Sequence, residues 1–480
     1  MKKSITSNFI YNTAYQIIAI ILPIITTPYL SRILGAENIG TYAYTISISA
    51  YFIMFGSLGI ALYGQREIAY YQDEKTKYTK AFWEIIILRL ITMTFSLIAF
   101  YFVFVFRTNN YQVYFKILLL EIIANAIDIS WFFQGLEEFK KIVFRNLIVK
   151  LISIISIFVF VRTADDLSKY VIIYALSLLI GNLSLWLCLP KIISKINFRK
   201  LNIVKHLKQT LVLFIPQVAI QVYTILDKTM LGIIISDKSE VGYYEQAQKV
   251  VKIMLIIVGS LGTVMMPRIA NSFAKKDKKA IEKYVSNSLK ATMMLALPIV
   301  FGICVIAQDF VPIFFGKGYD KVTVLIQIIS PIILMIGLSG NIGTQYLLAT
   351  KQQGKYTISV CLGAVINFCL NMLLIPNFQS VGASIATIIA ETSVTVCQII
   401  MTKKQLKYKE TFKVLPKYLF FAALMFGFCW LTNFMEIDTK IRLIIKVIIG
   451  TITYGGMLII SKDSLIMTIK DKIKMKIKSR

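Results

Sequence analysis

Arg89, Asp128, Lys150, Asp227, Lys228, Glu245, Lys249, Lys252, Lys290 and Glu391 all fall within long apolar stretches of the chain. A charge at the centre of a bilayer costs about 2.5 to 3.5 kcal/mol on insertion scales, so such residues face each other or a water-filled cavity. Two kinds of chemistry follow. Lysine and arginine hold phosphate oxygens through charge-assisted hydrogen bonds, and an acid in the same setting can carry a proton or a cation. Glu245 and Lys249 are four apart with the acid first, the favourable order for a pair on one helix face, so they can also simply neutralise each other. Asp227 and Lys228 are adjacent and point about 100° apart on a helix, so they cannot pair directly. Arg89, Lys150 and Lys252 have no acid in register on their own segment. They predict a cavity of net positive potential suited to an anionic, phosphate-bearing ligand. Asp227, Glu245 and Glu391 are the candidates for ion coupling. Lys116 and Lys446, near segment ends, read as snorkelling side chains.

The elements that position these residues are read from composition. The chain has 480 residues, 57% hydrophobic and 16% charged, against about 25% charged in an ordinary soluble domain. Apolar runs near the ~20 residues that cross a bilayer recur along its whole length and leave no room for a soluble domain. Roughly fourteen segments emerge, at about 9–31, 39–63, 81–106, 111–133, 142–161, 168–189, 209–235, 242–266, 285–306, 322–347, 356–375, 380–402, 416–435 and 441–461. The fold class expected is an all-α polytopic membrane protein. The first segment lacks a small-residue cleavage site and reads as a retained span rather than a signal peptide.

Charge alternation orients the spans. With the amino terminus inside, about 35 of the 53 basic residues face the cytoplasm and about 9 face outward, the asymmetry of the positive-inside rule. Both termini are then cytoplasmic, in a multi-pass protein of a bacterial plasma (inner) membrane. Arg145 and His206 fall in basic cytoplasmic connections on this scheme. The net charge of +28 is largely what orientation demands, so nucleic acid is not an expected partner, although the basic tail can touch anionic membrane lipids. The six cysteines lie in or beside apolar segments without metal-ligand spacing, and the chain has one histidine, so neither a disulfide framework nor a metal site is expected. Trp131, Phe132 and Phe133 read as interfacial anchors or, alternatively, as a sugar-stacking surface.

An internal duplication runs through the chain. Gly40-Thr41-Tyr42, Gly56-Ser57-Leu58-Gly59 and Arg66-Glu67-Ile68-Ala69 recur in order as Gly242-Tyr243-Tyr244, Gly259-Ser260-Leu261-Gly262 and Arg268-Ile269-Ala270, about 200 residues on. Arg32 and Lys228 precede matching Leu-Gly pairs, at Leu34-Gly35 and Leu231-Gly232. Each copy spans six helices, so both enter the membrane in the same orientation, as parallel repeats do. The domains expected are a six-helix lobe with a basic linker at 1–207, a second lobe at 208–410, and two added helices with a basic tail at 411–480. Pro23 and Pro28 in the first segment and Pro216 in the seventh interrupt helices at matching positions, a pointer to a binding site between repeats.

Pro28-Tyr29-Leu30-Ser31-Arg32-Ile33-Leu34-Gly35, Gly64-Gln65-Arg66-Glu67-Ile68-Ala69, Asp128 to Glu137, Tyr223 to Gly232, Pro267-Arg268-Ile269-Ala270-Asn271 and Gly382-Ala383-Ser384 come in an order and spacing that cover nearly the whole chain. In these motifs the sequence resembles the polysaccharide repeat-unit (Wzx-type) flippases of the multidrug/oligosaccharidyl-lipid/polysaccharide exporter superfamily. The resemblance implies a twelve-helix core in two lobes around a central cavity, plus two helices. It implies a cargo of undecaprenyl-diphosphate-linked oligosaccharide, moved from the cytoplasmic to the outer leaflet by alternating access for O-antigen or capsule assembly. It also implies that Arg32, Arg66, Lys228 and Arg268, which lie in the matching motifs, hold the diphosphate. Polysaccharide polymerase and glycosyltransferases are the partners it suggests.

A cation-coupled multidrug exporter of the same superfamily is the alternative, but it calls for carboxylates rather than the basic excess found at depth. A membrane enzyme is disfavoured, because no connection is long enough for a catalytic domain and no loop carries a pair of catalytic carboxylates: Glu137 and Glu138 are sequential, and Asp165 with Asp166 sit in a short outer turn. The absence of GxxxxGK[ST] argues against direct ATP hydrolysis, and no cofactor is expected.

Overall fold

A computed structural model describes residues 5–107, 110–463 and 465–467, all of them helix, turn or irregular chain without a strand. Nine helical runs among these residues are long and apolar enough to cross a membrane. The chain divides into two compact units, residues 1–242 and 243–480.

The first unit holds α1 (Ile5–Ser57), α2 (Ile60–Tyr70), α3 (Lys75–Phe100), α4 (Gln112–Ala126), α5 (Ser130–Gly135), α6 (Phe139–Phe160), α7 (Leu167–Trp186) and α8 (Val204–Ile234). The first expected segment and most of the second, up to Ser57, are one helical run broken at Gly35, whose φ of 76° is a left-handed conformation that glycine adopts without a Cβ clash. Lipid tails are as apolar as leucine, so packing and interhelical hydrogen bonds hold a membrane bundle together rather than hydrophobic burial. Such bonds are plentiful here: Thr92 Oγ1 donates to the carbonyl oxygen of Gly56 (2.6 Å), joining α3 to α1, and Trp186 Nε1 donates to that of Ile127 (2.8 Å), joining α7 to the end of α4.

The expected fourth segment is broken around residues 127–129 into α4 and the short α5. Trp131, Phe132 and Phe133 are buried against Phe82, Tyr78 and Ile68, with Gly64 directly beneath the Trp131 ring. They are core residues, neither interfacial anchors nor an exposed stacking surface. His206 is likewise buried rather than in a solvated loop. Its Nδ1 lies 2.6 Å from the Tyr63 hydroxyl and its Nε2 lies 2.8 Å from Glu84 Oε2, while Glu84 Oε1 accepts from the Asn202 backbone N–H at 2.7 Å. This chain of bonds fastens the first turn of α8, and the linker before it, to α2 and α3.

The duplicated glycines meet. A methyl group on Gly40 would overlap the carbonyl oxygen of Lys238, and one on Gly242 would overlap that of Ala36. Beside this contact Lys238 donates to the carbonyl oxygens of Gly232 (2.6 Å) and Ile235 (2.9 Å) and lies 5.0 Å from the centre of the Tyr44 ring. Burial pushes the Lys238 ammonium below the usual lysine range, against the opposing pull of Asp237.

The second unit contains all but the first turn of α9 (Ser239–Ala274), then α10 (Lys278–Phe314), α11 (Asp320–Ile329), α12 (Ile332–Gly340), α13 (Gln353–Thr402), α14 (Tyr408–Phe412), α15 (Leu415–Leu431) and α16 (Thr439–Ile460). The Gly-Ser-Leu-Gly landmark separates α1 from α2 in the first copy, yet its counterpart at residues 259–262 runs through α9 without a break. The eleventh and twelfth expected segments are one run, α13, with a break at Gln379 (φ 54°).

Helix α10 packs against α11, α12, α15 and α16. It is tied to the last helix by ions. Asp309 accepts from Arg442 Nε (2.9 Å) and Nη2 (2.6 Å) and pairs with Lys446, which also donates to Asn433 Oδ1 (2.6 Å) and to the carbonyl oxygen of Val305 (3.2 Å). Lys446 is thus fully buried instead of snorkelling. Asp463 just beyond α16 accepts from Lys417 (2.7 Å) and Tyr418 (3.1 Å) on α15.

Candidate functional site

Helix α6 is two-faced. Phe144, Ile148, Leu151, Ile152 and Ile155 are exposed on one side, as expected of a lipid-facing surface, while Arg145, Asn146, Lys150 and Ser153 line an open cavity of about 300 Å³ formed with α1 and α7. Such a volume sits at the low end of small-ligand pockets, ~300–1,000 Å³. Pro23 and Thr26 of α1 form one wall, and Tyr174, Ser177 and Asn182 of α7 another.

The polar lining is positioned by its own hydrogen bonds. Arg145 Nη1 donates to the Gly181 carbonyl oxygen and to Asn182 Oδ1, both at 2.9 Å, and its Nη2 donates to Asn146 Oδ1 at 2.5 Å. Asn182 in turn donates to the carbonyl oxygen of Ala124 on α4 (2.7 Å). The guanidinium is therefore a fixed strut between α6 and α7. Lys150, one turn deeper, is half-buried. Two cations, two carboxamides and several hydroxyls without an acid on the lining make a surface for a polar anion bearing hydroxyl groups. They offer no acid–base pair for bond breaking. Among the described residues no three His, Cys, Asp or Glu side chains gather as a metal site would require.

Lys150 lines this cavity as a sequence candidate; Arg145 does so although its position suggested a loop. The signal for Arg145 was present, because Arg145, Val149 and Ser153 recur every four residues on one face. Arg89 is buried, with Nε donating to the Asn125 carbonyl oxygen (2.9 Å) and Nη2 4.0 Å from Asp128. Arg32, Arg66, Lys252 and Arg268 are exposed and Lys228 is half-buried. The Arg66 guanidinium lies 5.7 Å from the Tyr63 ring centre. Of the coupling candidates, Asp227 and Glu391 are buried, and Glu245 pairs with Lys249 at 3.7 Å. Glu121, a single acid inside the apolar run of α4, was passed over in the sequence and is buried.

The sequence family described as "Polysaccharide biosynthesis protein" matches residues 5–273, and the family described as "MatE" matches residues 213–376. A candidate O-antigen transporter of Escherichia coli K12 is 26% identical over 398 residues, covering 82% of this chain and 95% of its own. The capsular polysaccharide biosynthesis protein CapF of Staphylococcus aureus is 22% identical, covering 80% of this chain and 96% of its own. Among solved structures, the lipid II flippase MurJ in an inward closed conformation superposes with a TM-score of 0.77 at 18% identity, over 95% of this chain and all of that one. An inward-facing multidrug transporter of the MATE family superposes with a TM-score of 0.59 at 10% identity, over 80% of this chain and 97% of that one.

Proposed function

This chain belongs to the polysaccharide biosynthesis protein family, and from that premise we propose that it is a flippase for undecaprenyl-diphosphate-linked oligosaccharide repeat units, carrying them from the cytoplasmic to the outer leaflet by alternating access. The observation that carries this reading is the extent of the likeness: a relative named as an O-antigen transporter is matched over 95% of its length, and the fold is that of the lipid II flippase MurJ over 95% of this chain. The cavity on α6 supports it, because Lys150 and Arg145 supply positive charge, and carboxamides and hydroxyls supply sugar contacts, in one place. The remaining cations, Arg32, Arg66, Arg89, Lys228, Lys252 and Arg268, are proposed to add to the same attraction along the substrate path. Asp227, Glu245 and Glu391 stay proposed coupling groups.

In this reading residues 1–207 and 208–410 are the two repeats and 411–480 an added hairpin. The protein lies in the plasma membrane with both termini cytoplasmic, and works beside glycosyltransferases and a polymerase. Deleting the gene in its own host is expected to abolish surface polymer and leave lipid-linked repeat units on the cytoplasmic leaflet, with both reversed by the wild-type gene. The match of residues 213–376 to MatE favours the multidrug exporter as the second reading. Normal polymer together with increased drug susceptibility in the deletion strain would establish it instead.

A further inference from the structure

Glu121 lies inside α4, packed against α1, α3 and α7, and is 5% exposed. Each carboxylate oxygen takes one hydrogen bond from a hydroxyl: Oε2 from Ser49 of α1 at 2.7 Å, Oε1 from Tyr174 of α7 at 3.2 Å. Among the described residues its hydrogen-bond partners are these two hydroxyls, and it forms no ion pair with any of them. The titratable groups around it are Tyr42 on α1 and Tyr170 and Tyr174 on α7, whose rings pack together at 4.8 and 5.8 Å from Tyr42. From α3 comes Arg89, whose guanidinium is turned to Asn125 and Asp128 further along the chain. An acid without a cation beside it inside a membrane protein marks an ion pathway or proton relay by default.

From this geometry we infer that Glu121 is a proton-binding site linked to occupancy of the cavity between α1, α6 and α7. The inference rests on the reading of that cavity as an anion site. The hydrogen bonds around Glu121 serve both protonation states. Ser49 Oγ lies 3.0 Å from the Ile46 carbonyl oxygen as well as 2.7 Å from the carboxylate. With Glu121 ionised, the Ser49 hydroxyl donates to it. With Glu121 protonated, its O–H donates to Ser49 Oγ, and the serine hydrogen turns to Ile46. Tyr174 donates in both states. A metal cation would need several more oxygens than one carboxylate and two hydroxyls provide, so the arrangement selects a proton.

Tyr174 is also the link. Its hydroxyl is on Glu121 and its side chain lines the cavity that holds Lys150 and Arg145. An anion entering that cavity adds negative charge near the carboxylate, and a proton on Glu121 removes it, so each favours the other by the same factor. Anion binding therefore takes up a proton, and release of the anion returns it.

The test uses the full-length protein in nanodiscs and a short-chain polyprenyl-diphosphate sugar, whose disubstituted diphosphate does not titrate near neutral pH. Calorimetry in buffers of different ionisation enthalpy counts protons taken up per probe bound. Wild type is expected to take up a proton within the pH range scanned and to bind on the order of fivefold tighter or more at the acid end. Glu121→Gln is expected to bind with a flat pH profile and no uptake, and Tyr174→Phe to bind with a displaced profile. Undiminished uptake in Glu121→Gln, or no uptake in wild type, overturns the inference while leaving the anion site standing. Should Glu121→Gln fail to fold, pH profiles of Tyr174→Phe and Ser49→Ala that coincide with wild type overturn it equally. Failure of wild type to bind the probe at any pH removes the cavity reading, and this inference with it.

Discussion

The ion cluster between α10 and α16 permits a prediction with a sign and a size. Among the described residues Asp309 is the acid paired with both Lys446 and Arg442, and both it and Lys446 are almost wholly buried. Asp309→Asn keeps the shape and strands Lys446 beside a neutral amide. Leaving a buried charge uncompensated costs ~3–5 kcal/mol. Lys446→Met is milder, because Asp309 keeps both bonds from Arg442 at 2.9 and 2.6 Å, and the loss is that of hydrogen-bond partners, ~1–3 kcal/mol. In Asp309→Leu/Lys446→Met only Arg442 is left, and its partly exposed side chain can reach water, so the double variant should recover part of the Asp309→Asn loss. Neutral interhelical bonds average about 0.6 kcal/mol in membrane proteins, so the charge term decides the order. Unfolding by graded SDS in mixed micelles measures all three. A loss in Asp309→Asn no larger than in Lys446→Met would refute the reasoning, since the cations would then not depend on this acid.

Other consequences are as direct. His206→Ala removes the partner of both Glu84 and Tyr63, so thermal unfolding in detergent should show a loss of ~1–3 kcal/mol. Gly242→Ala drives a methyl group into the Ala36 carbonyl oxygen and should cost ~1–3 kcal/mol by overpacking, read as lower yield and a lower unfolding temperature. Burial alone would raise the Asp463 carboxyl, but the bonds from Lys417, the Leu465 backbone N–H and Tyr418 outweigh it and hold it below the usual carboxylate range. Its stabilisation is therefore complete above about pH 4, the unfolded value, and is lost as pH falls through the lower folded one. The gap in stability between wild type and Asp463→Asn should stay constant at neutral pH and close only in strong acid.

Much of the helical framework was legible because apolar length and flanking charge are local properties. The Gly-x-Tyr landmark was legible too, and its reason is now physical, since Gly40 and Gly242 each face a backbone carbonyl oxygen too closely for any side chain. The errors share a cause. His206 and Arg145 were given to loops, and Lys446 to a snorkelling role, because a polar residue near the end of an apolar run is assigned water by default. Their partners lie far off in sequence, Glu84 for His206 and Asp309 for Lys446, where no local pattern reveals them. Trp131 to Phe133 failed in the same way, being covered by α2 and α3 rather than facing the interface. Glu121 is different, for an isolated acid in the run from Phe115 to Ala126 is a visible signal that attention to lysines and arginines passed over.

The central claim is that this chain moves a diphosphate-linked glycolipid using the basic cavity on α6. Purified protein reconstituted in vesicles with a fluorescent undecaprenyl-diphosphate oligosaccharide tests it most directly, with quenching of outer-leaflet label measuring transfer between leaflets. Transfer by wild type, none in empty vesicles, and at least a tenfold slower rate in Lys150→Gln, the loss of about 1.4 kcal/mol of charge-assisted binding, is the outcome predicted. Equal rates with and without protein would contradict the flippase reading, and an unchanged rate in Lys150→Gln would contradict the site.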